Sequence, residues 1–168
     1  MADFKEIEPA DFNESPFKLI GNDNMLITAE KDGKINTMTA GWGGFGVMWE
    51  TDVVFIVIRP QRYTKKFVEA NDYFSLSFFD GNYKKELGYL GSVSGRDEDK
   101  ITKSGLTLKY DQSAPYFVKA NKALICKKLY QQEFNKESFI DKSLIDKWYP
   151  DNDFHILYIG KVEKTLIK

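Results

Sequence analysis

A basic stretch that follows a hydrophobic run carries the clearest ligand-binding chemistry in this sequence. It runs from Arg59 to Lys66 and reads Arg-Pro-Gln-Arg-Tyr-Thr-Lys-Lys. Thr64 is a natural N-cap for a helix over 65–70, and the start of a helix presents unpaired N–H groups and partial positive charge. Arginine adds forked, charged donors. The stretch predicts a phosphate site, although a basic surface turn capped by threonine accounts for the same residues equally well.

A second loop further along the chain carries similar groups. Residues 92–96 read Ser-Val-Ser-Gly-Arg, and Lys100 follows them. Serine hydroxyls and successive backbone N–H groups can hold an anion. A solvated charged turn from Arg96 to Lys100 explains the loop more simply, so this loop alone does not predict a site.

The glycines at 41–46 formally satisfy the dinucleotide pattern Gly-x-Gly-x-x-Gly. That pattern requires a helix immediately afterwards and an acidic residue about 20 positions on. Here a hydrophobic run at 53–58 follows instead, and Arg59 and Arg62 lie near the acidic position. We therefore reject the dinucleotide interpretation. A loop between strands and a ligand loop both remain, since glycines beside Trp42 let the backbone approach a flat ligand closely.

The remaining reactive side chains are few, and their numbers exclude several chemistries. With one His and one Cys, the chain cannot assemble a His/Cys zinc site, and no metal is expected. A Ser-His-Asp triad would need His155, but no Gly-x-Ser-x-Gly elbow supplies its serine. A lone His is more typical of a structural hydrogen bond than of a catalyst. Redox chemistry here would need a borrowed cofactor.

The composition gives the chain no electrostatic preference for polyanions. Its 24 basic and 25 acidic residues leave a net charge of -1, so we expect neither nucleic acid nor membrane as a partner. A single cysteine favours a reducing compartment. The acidic start does not have the pattern of a signal peptide, and the densest apolar run, 53–58, is far shorter than the ~20 residues of a membrane helix. We expect a cytoplasmic protein with 1–168 as one domain.

The elements that position these residues are expected to be mostly strands, because aromatic residues favour strands and make up 15% of the chain. Lys31-Asp32-Gly33-Lys34 predicts a hairpin turn, and 41–46 a loop. Strands are predicted at 25–30, 35–40, 53–58 (buried on both faces), 73–79, 106–110, 123–130 and 154–162. Helices are predicted at 65–70, 83–90, 100–103 and 137–148, the last from the helical spacing of Ile140, Leu144, Ile145 and Trp148. Many strands and few helices indicate a mainly β fold, a closed or nearly closed β-barrel with helices over its ends.

Several of these segments, in this order, resemble the flavin reductase-like family. They are Asp32-Gly33-Lys34-Ile35-Asn36-Thr37-Met38-Thr39-Ala40-Gly41-Trp42, then 53–59, Arg62-Tyr63-Thr64 and Tyr73-Phe74-Ser75-Leu76-Ser77. Ser94-Gly95, Asp99-Lys100 and the final strand at 155–162 extend the likeness over nearly the whole chain. The Asn-x-Met-Thr-Ala and Arg-Tyr-Thr elements are fairly specific in combination. The resemblance implies the FMN-binding split barrel.

The resemblance also implies which residues hold FMN at a homodimer interface. The isoalloxazine and ribityl chain would run along Asn36, Thr37, Met38, Thr39, Ala40, Gly41 and Trp42, largely through backbone groups. The phosphate end would meet Arg59, Gln61, Arg62, Tyr63 and Thr64, and Ser92, Ser94 and Lys100 would complete the shell. His155 would lie near the flavin or the nicotinamide, as the one candidate catalytic residue.

The function that the resemblance implies is hydride transfer from NADH or NADPH to flavin. An FMN-binding electron carrier without turnover of its own would use the same pocket. A ligand-free interaction barrel is a further alternative, and oxidation of an amine such as a pyridoxine phosphate on the same fold is a third. An insertion from Asn135 to Asn152 is longer than the hairpin of compact relatives, and it either covers the nicotinamide side or extends the dimer contact.

Overall fold

The architecture is a curved antiparallel sheet with short helices at its ends. The computed structural model describes residues 3–111 and 113–168. Its strands are β1 (Lys5–Ile7), β2 (Met25–Lys31), β3 (Lys34–Ala40), β4 (Gly43–Met48), β5 (Thr51–Ile58), β6 (Tyr73–Phe78), β7 (Leu108–Tyr110), β8 (Pro115–Phe117), β9 (Lys122–Glu133) and β10 (Ile156–Ile167). Its helices are α1 (Lys65–Ala70), α2 (Lys84–Ser92), α3 (Lys100–Ser104) and α4 (Ser143–Trp148), with a π-helical segment at Phe17–Asn22 and three 3-10 turns, Pro9–Asp11, Gly81–Tyr83 and Lys136–Ser138.

The strand order of the main sheet is β3-β2-β6-β9-β10-β5-β4, with β1 paired to the end of β10 and β7 paired separately to β8. In a flat sheet β3 and β5 would lie five strand spacings apart, or about 24 Å. Yet Met38 and Ala40 of β3 belong to the same buried cluster as Val54 and Ile56 of β5. The sheet therefore curls around one core, as the predicted barrel requires.

The hairpin between β2 and β3 forms where the sequence predicts it. Lys31 pairs with Lys34, which leaves a two-residue loop. Asp32 and Gly33 have φ angles of 52° and 74°, so both adopt the left-handed conformation of a tight hairpin turn. This turn fixes the register of β3, the strand that carries the Asn36–Ala40 stretch.

The glycine-rich stretch is a strand, so the predicted loop at 41–46 is wrong over most of its length. β4 pairs with β5 from Gly43 to Met48. A Cβ at Gly43, whose φ is +152°, would lie 2.6 Å from the carbonyl oxygen of Phe55, and the Phe55 ring covers Gly44. The glycines are needed for this close packing. Phe55 is itself 43% exposed, so β5 is not buried on both faces as predicted.

The helices beside the barrel match the prediction closely. α1 spans Lys65–Ala70, and α2 continues two residues beyond the predicted helix at 83–90, through Gly91 and Ser92. In α3, the Asp99 carboxylate accepts from Thr102 N–H, and Gly105 ends the helix with a φ of 73°. These short helices bring loops from distant parts of the sequence to one end of the sheet.

The insertion is not the continuous helix predicted over 137–148. A 3-10 turn covers Lys136–Ser138, and α4 begins only at Ser143, because the Asp141 carboxylate accepts from Ser143 N–H in a local turn. Ile140 is therefore fully exposed rather than packed. The apolar residues of the segment form a small separate cluster of Ile145, Tyr149 and Phe154, packed against Phe134 and Phe139.

Three short elements lack a clear sequence signal: β1, β8 and the π-helical segment at Phe17–Asn22. Each is a few residues long, and its position depends on the neighbours against which it packs. Within the described ranges, no helix has the length and apolar character needed to cross a membrane.

Candidate functional site

Two adjoining cavities at one end of the barrel collect most of the predicted site residues. The first, called the basic cavity, has a volume of about 120 Å³ and is lined by Asn36, Gln61 to Thr64, Gly91 to Arg96 and Lys100. The second, called the aromatic cavity, has a volume of about 220 Å³ and is lined by Met38 to Trp42, Val57, Arg59, Arg62, Trp148 and His155. Arg62 lines both, so the two form one continuous cleft.

Lys100 is a buried cation in the basic cavity. Its side chain is held at the start of α3 with 3% of the residue exposed. The ammonium donates to the carbonyl oxygens of Leu90 (2.8 Å) and Val93 (2.9 Å), at and just beyond the end of α2, where helical carbonyls lack partners. Burial, together with the nearby Arg62 guanidinium, lowers the pKa of Lys100 from 10.5 to about 8.

Arg62 is the second cation of this cavity. One guanidinium nitrogen donates to the carbonyl oxygen of Gly91 at 3.2 Å, and burial lowers the pKa of the side chain. Among the described residues, no carboxylate forms a salt bridge with Arg62 or with Lys100. Two partly desolvated cations without a counter-charge favour the binding of an anion between them.

The start of α1 contributes less to this site than the sequence predicts. The helix does begin after Thr64, but the Thr64 hydroxyl makes no cap bond and instead accepts from the Asn36 amide at 2.9 Å. The backbone N–H groups of Lys65 and Lys66 donate hydrogen bonds to the carbonyl oxygens of Arg62 and Tyr63. The cationic side chains, rather than a helix dipole, therefore supply the positive charge.

Arg96 is a basic-cavity residue to which the sequence analysis gave no role. Its guanidinium lies 4.9 Å from the centre of the Tyr63 ring and donates to the Gln61 carbonyl at 3.3 Å. Its backbone N–H donates to the Ser94 hydroxyl, while the Ser92 hydroxyl donates to the Tyr89 carbonyl. Arg96 thus joins the 92–96 loop to the 61–64 turn while remaining exposed to solvent. A contact across 33 positions leaves no local signal in the sequence.

The aromatic cavity is built on β3, which is the last strand at its end of the sheet. An edge strand leaves every second peptide group unpaired, and these groups can bind a flat ligand through its polar edge. The Thr39 hydroxyl donates to the Leu87 carbonyl at 2.6 Å, which joins β3 to α2. The Thr37 side chain is fully buried and donates to the Ile27 carbonyl. Thr37 is wholly buried and lines neither cavity, so the structure does not bring this predicted site residue to the cleft.

His155 lies against three aromatic side chains at the floor of this cavity. It precedes β10 rather than lying within it, and only 7% of it is exposed. Its Nδ1 is 2.8 Å from the Tyr149 hydroxyl, and its ring centre is 5.0 Å from that of Trp42. Burial, and then the charge of Arg59, lower the pKa of His155 to about 4, so the imidazole is neutral at neutral pH.

Arg59 is separated from the other basic residues with which the sequence groups it. Its guanidinium pairs with Asp153 at 2.5 Å, donates to the Trp148 carbonyl at 2.7 Å and lies 5.1 Å from the centre of the Tyr149 ring. All three partners lie at or just beyond the end of the insertion. The structure thus places Arg59 in the aromatic cavity and not with the phosphate-type groups of the basic cavity.

Two further lining residues, Val57 and Trp148, were not among the predicted ligands. Trp148 was predicted as part of a helical packing stripe, and its position beside Trp42 depends on how the insertion folds back. Within the described residues, no group of three His, Cys, Asp or Glu side chains is arranged to hold a metal ion.

A comparison with known protein families identifies the chain. The family model described as the flavin reductase like domain matches residues 17–168. The chain belongs to this family. The match confirms the resemblance drawn from the Asn36–Trp42 and Arg62–Thr64 elements. A relative from Aeropyrum pernix, described as an uncharacterized protein, is 28% identical over 103 residues, which cover 60% of this chain and 39% of the relative.

Solved structures confirm the split-barrel fold. The FMN-binding domain of a flavin reductase-like enzyme from Shewanella baltica matches with a TM-score of 0.72 at 18% identity, over 99% of this chain and 79% of that one. An NADH:FAD oxidoreductase from Streptomyces globisporus, in complex with NAD and FAD fragments, matches with a TM-score of 0.66 at 16% identity, over 87% of this chain and 74% of that one. At these identities the likeness concerns the fold.

Proposed function

We propose that this protein binds FMN in the two-part cleft and transfers hydride from NADH or NADPH to flavin. The observation that carries the proposal is a pair of cations beside an aromatic cavity, Arg62 and Lys100, which have no carboxylate partner among the residues that the structure describes. A flavin mononucleotide has one dianionic end and one flat aromatic end, which match these two cavities in chemistry. Membership of the flavin reductase like domain family supports the same assignment.

The donor set of the basic cavity fits a phosphate group. Arg62, Lys100 and Arg96 supply charged donors, and the hydroxyl-bearing residues Thr64 and Ser94 line the same cavity. Charge-assisted hydrogen bonds of this kind contribute about 1.5–3 kcal/mol each. A Cβ at Gly95 would overlap the Asn36 amide, so the loop can approach β3 this closely only with glycine at that position.

The aromatic cavity fits the flat end of the ligand. When bound, the flavin supplies the hydride and electron chemistry that protein side chains lack. The protein's part is to hold and orient the ring, which we assign to the edge of β3 from Met38 to Trp42. Trp42 and Trp148 shield the ring from water. His155 is neutral, so it does not act as an acid at neutral pH, and we assign it a role in orienting the ligand.

We also propose that the functional unit is a homodimer. Phe55 and Tyr130 both pair with Ile159 across adjacent strands, so they lie on one outer face of the sheet. The Trp49 ring is 6.4 Å from that of Tyr130. Trp49, Phe55 and Tyr130 are all substantially exposed. This outer apolar patch is typical of a surface that a second subunit covers.

Anaerobic mixing tests the proposed reaction. The FMN-loaded protein is mixed with NADH or with NADPH, and the flavin absorbance band is followed in time. We expect bleaching with at least one nucleotide, because hydride transfer reduces the flavin. A protein that binds FMN but bleaches with neither nucleotide would be an electron carrier or flavin store. A protein that binds no added FMN would exclude both functions and leave an interaction barrel.

A further inference from the structure

Residues at the end of the insertion hold the Arg59 side chain from three sides. One guanidinium nitrogen donates to the Asp153 carboxylate, another donates to the Trp148 carbonyl, and the guanidinium carbon lies 5.1 Å from the centre of the Tyr149 ring. The Gln61 amide donates to the same carboxylate oxygen of Asp153 at 2.8 Å. With these partners in place, Arg59 joins β5 to the insertion, and its charge is already balanced by the Asp153 carboxylate.

The insertion depends on this connection, because its apolar residues do not reach the main core. Ile145, Tyr149 and Phe154 pack with Phe134 and Phe139 in a cluster separate from the one inside the barrel. Contacts with the cavity therefore set where the segment lies. They include the contacts from Arg59, the bond between the Tyr149 hydroxyl and His155, and the ring contact between Trp148 and Trp42.

The residue positioned by these contacts is Trp148. It is the last residue of α4, so its carbonyl has no helical partner and accepts from Arg59. The Trp148 ring meets the Trp42 ring edge to face at 5.1 Å, and 39% of the residue stays exposed at the cavity. An indole that is held in place and partly exposed beside a cavity offers a surface on which a flat aromatic ring can pack.

We propose that Arg59 is a positioning residue, and that Trp148, which it holds, determines which second substrate can reach the ligand in the aromatic cavity. The substrate class that fits is a flat aromatic ring such as a nicotinamide. This inference rests on the proposed function for the identity of that substrate, whereas the role of Arg59 does not depend on turnover.

Arg59→Lys and Arg62→Ala separate a positioning residue from a phosphate ligand. Lysine keeps the charge of Arg59 but cannot bond to Asp153 and the Trp148 carbonyl at once. We expect Arg59→Lys to speed amide hydrogen exchange in residues 143–152 about tenfold and to leave the Kd for FMN within about twofold. Arg62→Ala should do the reverse, weakening FMN at least about tenfold with little change in exchange at 143–152.

Two outcomes of this comparison would overturn the role assigned to Arg59. One is an Arg59→Lys protein that loses FMN affinity while exchange at 143–152 stays unchanged, since Arg59 would then be a flavin ligand. The other is no change in either measurement. Asp153→Asn guards against a general folding defect in the Arg59 variant, because it removes the same ion pair from the other side and should speed the same exchange.

Binding of the unreactive oxidised nucleotides tests Trp148. NAD+ or NADP+ is titrated into the FMN-loaded protein, and the shift of the flavin absorbance band gives a Kd without turnover. We expect Trp148→Ala to weaken binding about tenfold and Trp148→Phe to restore it to within about threefold, because a flat ring is retained. Unchanged binding in Trp148→Ala, or no binding of either nucleotide to the native protein, would overturn the assignment of Trp148. Failure of the proposed reaction alone would appear as nucleotide binding without bleaching.

Discussion

At the scale of single residues, Arg59 and Arg62 lie three positions apart in the sequence but have different roles. Both follow β5, and sequence alone places both at a phosphate. In the structure, Arg59 is paired with Asp153, whereas Arg62 has no carboxylate partner among the described residues and lies between two cavities. The distinction depends on Asp153, which is 94 positions away from Arg59. Local pattern cannot supply that information.

Removing the Arg62 side chain should weaken FMN binding directly. Loss of one charge-assisted phosphate contact is expected to cost about 1.5–3 kcal/mol of binding free energy in Arg62→Ala. Fluorescence titration of FMN measures it. Lys65→Ala is the matched control, because Lys65 pairs with Glu69 on the exposed side of α1 and should affect binding little. Equal losses in both variants would mean that general charge, not the cavity, attracts FMN.

Lys100 should make FMN binding depend on pH. Burial and Arg62 lower its pKa to about 8, so the ammonium loses its proton as the pH rises through that value. The protonated form binds the anion, so FMN affinity should be highest below about pH 8 and fall above it, by roughly tenfold when the proton is gone. Titrations with riboflavin, which lacks the phosphate, should show no such fall. A parallel decline for riboflavin would contradict a phosphate at Lys100.

His155 should make folding stability depend on pH in a window of its own. It is the single His of the chain, and its pKa falls from 6.5 to about 4 in the folded protein. Between these values the unfolded chain binds a proton that the native protein does not. Stability therefore falls as the pH is lowered from 6.5, by at most about 1.4 kcal/mol per pH unit. Urea unfolding at about pH 7 and 5 measures this, and His155→Gln should remove the slope. A wild-type slope of zero would contradict a neutral, buried His155.

At the scale of elements, the sequence was most informative where a local rule applies. The Asp32-Gly33 turn, the bounds of α1 and the Gly105 end of α3 follow from backbone preferences that act within a few residues. The glycines at 43 and 44 predict a loop but form a strand, because they allow close contacts with Phe55 on the neighbouring strand. The prediction of a helix over 137–148 is wrong for a different reason: the turn at Asp141 interrupts a segment whose apolar residues have helical spacing.

Two glycines of α2 should respond differently to alanine. A Cβ at Gly88 meets nothing within 4 Å, whereas at Gly91 it would lie 3.1 Å from Thr39 Cβ. Gly88→Ala is expected to raise the free energy of unfolding by about 0.5–1 kcal/mol, because glycine is a poor helix former. Gly91→Ala should give no such gain and should disturb the joint between α2 and β3. Urea unfolding of both variants tests this. Equal increases in the free energy of unfolding would mean that Gly91 of α2 does not pack closely against β3.

At the scale of the whole molecule, the mainly β barrel and the family could be predicted from the sequence. Most of the candidate site could be predicted as well, because β3 and the turn after β5 are contiguous segments that a motif can capture. The parts that could not be predicted, Arg96 on Tyr63 and Trp148 on Trp42, come from elements that meet only after the chain has folded. The division between the basic and aromatic cavities could not be predicted either, for the same reason.

The outer apolar patch predicts that subunits associate through the sheet. Phe55→Glu places a charge in the patch and should shift the protein towards monomers, because a buried unpaired carboxylate is costly. Sedimentation velocity measures the species directly. Ile140→Glu is the control, because Ile140 is fully exposed in the insertion and outside the patch. A wild-type monomer, or a Phe55→Glu dimer as stable as the native one, would contradict the proposed interface.

The separate cluster beneath α4 gives this protein a degree of modularity. Ile145, Tyr149 and Phe154 can change size or shape without creating a cavity inside the barrel, because the main core shares none of them. Such changes would move Trp148 and reshape one side of the aromatic cavity, while the strands and the basic cavity keep their structure. Selection acting on the insertion could therefore adjust what the protein accepts while leaving the core of the barrel unchanged.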